Sequence, residues 1–185
     1  MRNVVKASLV IFLCFSAISF KSDDLAPVVF SQANINWLSW QDMLEKSKKE
    51  RRKVVVDVYT DWCGWCKRMD ATTFQHPQIA KYINEHYYAV KFNAEDRKDI
   101  DFKGKTFKFV KNGMRGYHEL AALITQGRLS YPSIVFLDEN HEVIQSIPGY
   151  RDAVEFEKIV TYFGGNQHQK TPWEVYQRNY QPMKD

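Results

Sequence analysis

Apolar residues along the chain change their spacing several times, and each change marks an element. Between 40 and 52, Trp40, Met43, Leu44 and Ser47 recur at helical spacing among charged residues, with Ser39 placed as a cap, predicting an amphipathic helix. Val54-Val55-Val56-Asp57-Val58-Tyr59 is a β-branched run without alternation, the pattern of a strand covered on both faces. A helix is expected from Cys63 towards Ala71, and another opens at His76-Pro77 and carries Ile79, Ile83 and Tyr87. Residues 88–93 read as a second strand, with Ala89-Val90-Lys91-Phe92 at its heart.

The second half is less regular. Residues 94–116 are basic and aromatic, and 106–110, ahead of Asn112-Gly113, predict one arm of a hairpin. A short helix over 117–126 should stop at Gly127. Ser133-Ile134-Val135-Phe136-Leu137, a turn at Asp138-Glu139-Asn140 and the stretch 142–147 predict a strand pair. An amphipathic helix over 151–163 follows, closed by Gly164-Gly165. Thr171-Pro172-Trp173-Glu174 has the form of a capping box and predicts a last short helix. The order is that of an α/β domain around a mixed sheet. Its first two strands, joined through helices, should be parallel, and its last two, joined by a tight turn, antiparallel.

Composition bounds the class. The 185 residues are 44% hydrophobic and 15% aromatic, which excludes a disordered chain and allows one decorated domain. Residues 1–19 have the layout of a secretory signal: basic Arg2 and Lys6, an apolar run over 9–15, then small Ala17 and Ser19. The apolar run is short for a membrane span. Leu13, a large residue ahead of Cys14, counts against lipidation. Cleavage would remove two of the basic residues and no acid, taking the formal charge from +4 to +2. That balance gives no reason to expect nucleic acid or an anionic membrane as partner. Residues 20–36 then form an N-terminal lead, 37–165 the domain, and 166–185 a tail.

The candidate chemistry lies in Asp61-Trp62-Cys63-Gly64-Trp65-Cys66-Lys67. With the signal removed, these two cysteines are what remains of three. A structural zinc site needs about four ligands, and the five histidines show no close pairing. Covalent haem attachment wants histidine after the second cysteine, where Lys67 stands. A bridge enclosing two residues constrains the unfolded chain too little to serve as a staple. Thiol–disulfide exchange remains. At the first turn of a helix, unpaired N–H groups favour a thiolate, so Cys63 should attack. Cys66, one turn deeper on the same face, should resolve the mixed disulfide. No histidine lies between them and Asp61 opposes the thiolate, so only a moderate fall in the Cys63 pKa and a reducing pair are expected.

The stretch VVVDVYTDWCGWCK resembles the active-site segment of thioredoxins. The longer run DVYTDWCGWCKRMDATTFQHPQIAKYI is similar to the thioredoxin-like domains of secreted bacterial proteins, among them the C-terminal domain of the disulfide reductase DsbD. The likeness runs from about 40 to 163 with an interruption. It implies a thioredoxin fold, a central mixed sheet flanked by helices, with an insertion at 94–128 before the strand that follows a cis proline. It also implies roles. Asp57, six residues before Cys63, matches a buried acid that takes the proton of the resolving cysteine, and Lys91 the lysine beside that acid. Tyr131-Pro132-Ser133 matches the cis-proline segment facing the cysteines, where the Tyr131 backbone would pair with an extended substrate. Gly149 would let that substrate approach. Trp62 would shape the contact surface. Trp65, where thioredoxins have proline and many oxidants histidine, is either a substrate contact or packed structure, and leaves the redox direction open.

The expectation is therefore an exported oxidoreductase, periplasmic or secreted, with protein thiol and disulfide substrates. A redox partner protein would supply electrons, no metal or organic cofactor is implied, and the cleaved protein would have no membrane association. The alternative is a binding or chaperone-like module of the same fold whose cysteines do not turn over.

Overall fold

The computed structural model describes residues 34–183. The expected signal at 1–19, Cys14 and all but the end of the lead lie outside the described residues. A five-stranded sheet organises the rest, in the order β1 (Trp37–Leu38), β3 (Tyr87–Asn93), β2 (Lys53–Tyr59), β8 (Ser133–Leu137), β9 (Val143–Pro148). Both β1 and β2 run parallel to β3, β8 is antiparallel to β2, and β9 antiparallel to β8.

The unalternating run of β2 has the burial its sequence predicts. Val54, Val56 and Val58 pack in one core with Trp40, Met43, Leu120 and Val135. Val55, between them, joins a second core with Met69, Ile79, Ile83, Phe136 and Phe156. The strand is thus sandwiched between two helical layers, α1 (Trp40–Lys49) and α4 (Glu119–Ile124) on one face, α2 (Gly64–Ala71), α3 (Pro77–His86) and α5 (Ala153–Gly164) on the other. Side chains alternate along a strand, so Asp57 shares the Val55 face, beneath α2.

Several boundaries differ from expectation. Helix α1 ends at Lys49 rather than 52, because the backbone turns extended at Glu50 and Lys53 already pairs with Tyr87 in the sheet. The basic segment holds two hairpins, β4 (Ile100–Phe102) with β5 (Lys105–Phe107), and β6 (Phe109–Asn112) with β7 (Arg115–His118). The arm expected over 106–110 is broken at Lys108, whose N–H and C=O are both taken by Glu119. The first hairpin buries Ile100, Phe102 and Phe107 against Trp40. Its turn is made by Lys103 and Gly104, both with positive φ. Tyr117 and His118 finish β7, so α4 starts at Glu119, with buried His118 capping it through Nδ1. The predicted capping box does not form: Pro172 stands at the N-cap of α6 (Trp173–Asn179) with no side-chain bond, and the Thr171 carbonyl instead accepts the Tyr162 hydroxyl at 2.7 Å. Two-residue β1 was not expected, since so short a strand carries no period.

Candidate functional site

Cys63 follows β2 after a tight turn in which its N–H donates to the Thr60 carbonyl, 3.1 Å away. It is the N-cap of α2: its backbone is extended and its Sγ accepts the N–H of Cys66 at 3.1 Å. A disulfide joins Cys63 to Cys66, with Cα atoms 5.3 Å apart. Both sulfurs sit at the surface end of the sheet but are well covered; Cys63 is 5% exposed and Cys66 2%. No acid stands in the first turn of α2, so the positive helix end next to the Cys63 sulfur is not neutralised from within the helix.

Beneath the helix lies an ion cluster. Asp57 and Lys91 are directly paired in the parallel register of β2 and β3. The Lys91 ammonium bonds Asp57 Oδ2 and, on its other side, Asp70 of α2. Rings of Trp37, Tyr59 and Phe74 surround the ammonium, with centroids 5.0 to 5.2 Å away. Asp57 is only 1% exposed, and its Oδ1 is buried without a hydrogen-bond partner among the described residues. Burial pushes its carboxyl up to about 6; Lys91 pulls the other way and does not win. Burial would lower the Lys91 pKa, but the two carboxylates outweigh it, and its pKa is raised. The Lys91–Asp57 pair is the one the family resemblance implies, whereas Asp70, 21 residues from Lys91, carries no such mark in the sequence.

The contact residues expected around the cysteines fall at the same end of the sheet. The Tyr131–Pro132 bond is cis. Ser133, next in line, pairs with Val58 at the end of β2 and with Pro148 of β9. Gly149, at φ +91°, then donates its N–H to the Pro132 carbonyl at 2.7 Å. A residue with a Cβ would be strained there. Trp62 is half exposed, its Nε1 donating to Glu95 at 3.1 Å and its ring meeting Tyr131 edge-on at 5.9 Å. The Tyr131 hydroxyl is pushed up to about 12, by burial and then by Glu95. Trp65 is also more than half exposed; it leans on Tyr150 at 5.3 Å, with the Arg68 guanidinium 5.5 Å from its ring. It is thus exposed on one side and braced on the other. Tyr150 and Glu95 complete this rim and carried no sequence signal, and Arg115 joins them from the basic insertion. Among the described residues no group of three or more His, Cys, Asp or Glu is arranged to hold a metal ion.

A family model described as a thioredoxin-like domain matches residues 40–164. The chain belongs to the thioredoxin-like family. Within it, the chain is 32% identical over 74 residues to mouse spermatogenesis-associated protein 20, covering 40% of this chain and 9% of that one. It is 24% identical over 107 residues to the disulfide bond reductase DsbH of Chlamydia pneumoniae, covering 57% of this chain and 58% of that protein. The chain therefore spans a small part of the first relative and little more than half of the second. A thioredoxin-fold protein from Helicobacter pylori superposes with a TM-score of 0.56 at 19% identity, over 82% of this chain and 93% of that one. This thioredoxin-like protein thus shares the family's fold and carries a Cys-x-x-Cys disulfide at the start of a helix.

Proposed function

We propose that this protein is an exported thiol–disulfide oxidoreductase that reduces or isomerises disulfides in other proteins. The observation that carries the reading is the Cys63 sulfur, seated at the N-cap of α2 and bonded to the deeper Cys66 above a buried carboxyl. In the reduced form the Cys63 thiolate attacks one sulfur of a substrate disulfide. A Cys63–substrate bond forms, the substrate S–S bond breaks, and the departing thiolate takes a proton from water. Asp57 then accepts the Cys66 thiol proton. The Cys66 thiolate attacks the Cys63 sulfur, the Cys63–Cys66 bond forms, the Cys63–substrate bond breaks, and the departing substrate thiolate takes a proton from water, to which Asp57 then returns its own. Two electrons pass to the substrate, and a partner protein's dithiol returns them.

Lys91 holds Asp57 in place and keeps its pKa from rising further. Trp62, Trp65, Tyr131, Pro132 and Gly149 form the surface on which the substrate lies, with the Tyr131 backbone pairing to it. No metal or organic cofactor is needed. The signal-like pattern of 1–19 supports a periplasmic or secreted location, and among the described residues no helix is long and apolar enough to cross a membrane. The test is insulin disulfide reduction driven by dithiothreitol. Wild type should accelerate it and Cys63→Ser should not; equal rates would remove the reading.

A further inference from the structure

The β6–β7 hairpin reaches the rim of the site from the segment that interrupts the family likeness. Its tip residue Met114 is fully exposed, at 101%. The next residue, Arg115, lays its guanidinium 4.1 Å from the centre of the Trp62 ring, immediately beside Cys63 in sequence. Between hairpin and ring lies an open cleft of about 230 Å³ whose walls include Trp62, Arg115, Tyr117, Leu129 and Tyr131.

Glu95 also lines this cleft, and among the described residues its carboxylate makes no ion pair with the Arg115 guanidinium. Glu95 already accepts the Trp62 indole N–H, and Asp61 accepts the Asn93 side-chain amide at 3.1 Å. Among the described residues Arg115 has no ion pair. A guanidinium lying against a ring keeps its N–H donors in its own plane, directed past the ring edge in the fork that matches a carboxylate. Arg68, 5.5 Å from the centre of the Trp65 ring, is likewise without an ion pair among the described residues. Arg115 rests on the ring of Trp62, the residue directly before Cys63, so its cation is carried beside the proposed attacking sulfur.

We infer that Arg115 is a specificity-determining residue: it takes the carboxylate of an Asp or Glu flanking the reactive cysteine of a protein substrate, so that disulfides with acidic flanks are reduced first. This rests on the oxidoreductase reading above. The hairpin is then a selecting arm, and its placement over Trp62 is what brings a cation to a site whose own loop supplies acids.

The test uses peptides with one cysteine flanked by Glu, Gln or Lys, each in disulfide linkage to 2-thiopyridine. The protein is reduced by dithiothreitol and freed of it. Cys63 attacks the peptide sulfur, 2-thiopyridone leaves and is read by absorbance, and Cys66 then displaces the reduced peptide as the protein's own dithiol is oxidised. The readout is the Glu-to-Gln ratio of rates on one preparation, which a general loss of activity does not move. Wild type should favour the Glu peptide over the Gln peptide by about fivefold at low salt. Concentrated salt should abolish the preference. Arg115→Ala should level the ratio, Arg115→Glu should invert it in favour of the Lys peptide, and Arg115→Lys should retain part of it. Wild type reducing all three peptides at one rate, or the same ratio in wild type and Arg115→Glu, would overturn the inference alone. Wild type reducing none of them would sink the oxidoreductase reading as well.

Discussion

Asp57 and Lys91 stand opposite each other on adjacent parallel strands, and the ammonium satisfies only one of the two carboxylate oxygens. The other is buried without a partner among the described residues. Lys91 is itself divided, since Asp70 holds it from the helix that carries the cysteines. Burial, which Lys91 offsets only in part, thus leaves Asp57 a carboxyl that ionises near 6 instead of 3.8.

Stability should register this first. The folded pKa lies above the unfolded value, so the native state binds the proton more tightly than the unfolded chain. The contribution of Asp57 is fully present below the unfolded value of 3.8, declines as pH rises to about 6, and stays at its lowest beyond. The total change is about 3 kcal/mol at most. Asp57→Asn is therefore expected to make the oxidised protein more stable to urea at about pH 8, by about 1–3 kcal/mol. The variant should also lose most of the fall in stability between 3.8 and about 6. An unchanged or lower unfolding free energy at about pH 8 would contradict the assignment of the charge to this site.

The kinetic counterpart has the opposite benefit. In the proposed mechanism ionised Asp57 is the base for Cys66, so release of substrate should quicken as pH rises through about 6. Lys91→Met removes a pull that keeps this pKa down, and the rising limb of the rate profile should move to higher pH. Single-turnover rates across pH, with a ¹³C titration of the Asp57 carboxyl, decide the matter. A limb that stays where it was would mean that Lys91 only fills space.

Cys66→Ser should leave substrate bound covalently. With the resolving sulfur gone, the bond from Cys63 to the substrate persists until an external thiol reaches it. Non-reducing electrophoresis should show protein adducts that dithiothreitol releases, and Cys63→Ser should show none. Adducts on Cys66 in a Cys63→Ser protein would reverse the order of the two cysteines.

Gly116→Ala addresses the hairpin. A Cβ at this position would come within 2.2 Å of the Phe109 ring and 2.5 Å of the Val110 carbonyl oxygen. The ring can rotate away but the backbone oxygen cannot, so β6 and β7 must separate, at a cost of about 1–3 kcal/mol. Thermal unfolding should shift down by a few degrees, and Trp62 fluorescence should change as Arg115 is displaced. A variant matching wild type in both would show that the hairpin adapts freely.

Much of the fold was readable because burial leaves a period. The valines of β2 have no polar face because both faces are covered, and the two cysteines are three apart because one turn of α2 separates them. Contacts that join distant segments left no such mark. Asp70 shares the face of α2 that reaches Lys91, but nothing in its neighbours distinguishes it from a solvated acid. Arg115 was one basic residue in a basic stretch, and its place on Trp62 depends on a chain reversal at Gly113 and Met114. The capping box at Thr171 failed because the Thr171 N–H, which Glu174 would have to accept, already donates to the Gln167 carbonyl at 2.8 Å.

The Cys63 sulfur, the atom proposed to attack the substrate, is also the atom that closes the first turn of α2. In the proposed cycle each covalent change at Cys63 would therefore alter the acceptor of the Cys66 peptide N–H. Proton exchange at that single amide would follow turnover without any added label. Serine, a good helix terminator, would preserve the turn while silencing the chemistry. Architecture and reactivity at position 63 can thus be separated by the exchange of one sulfur for one oxygen.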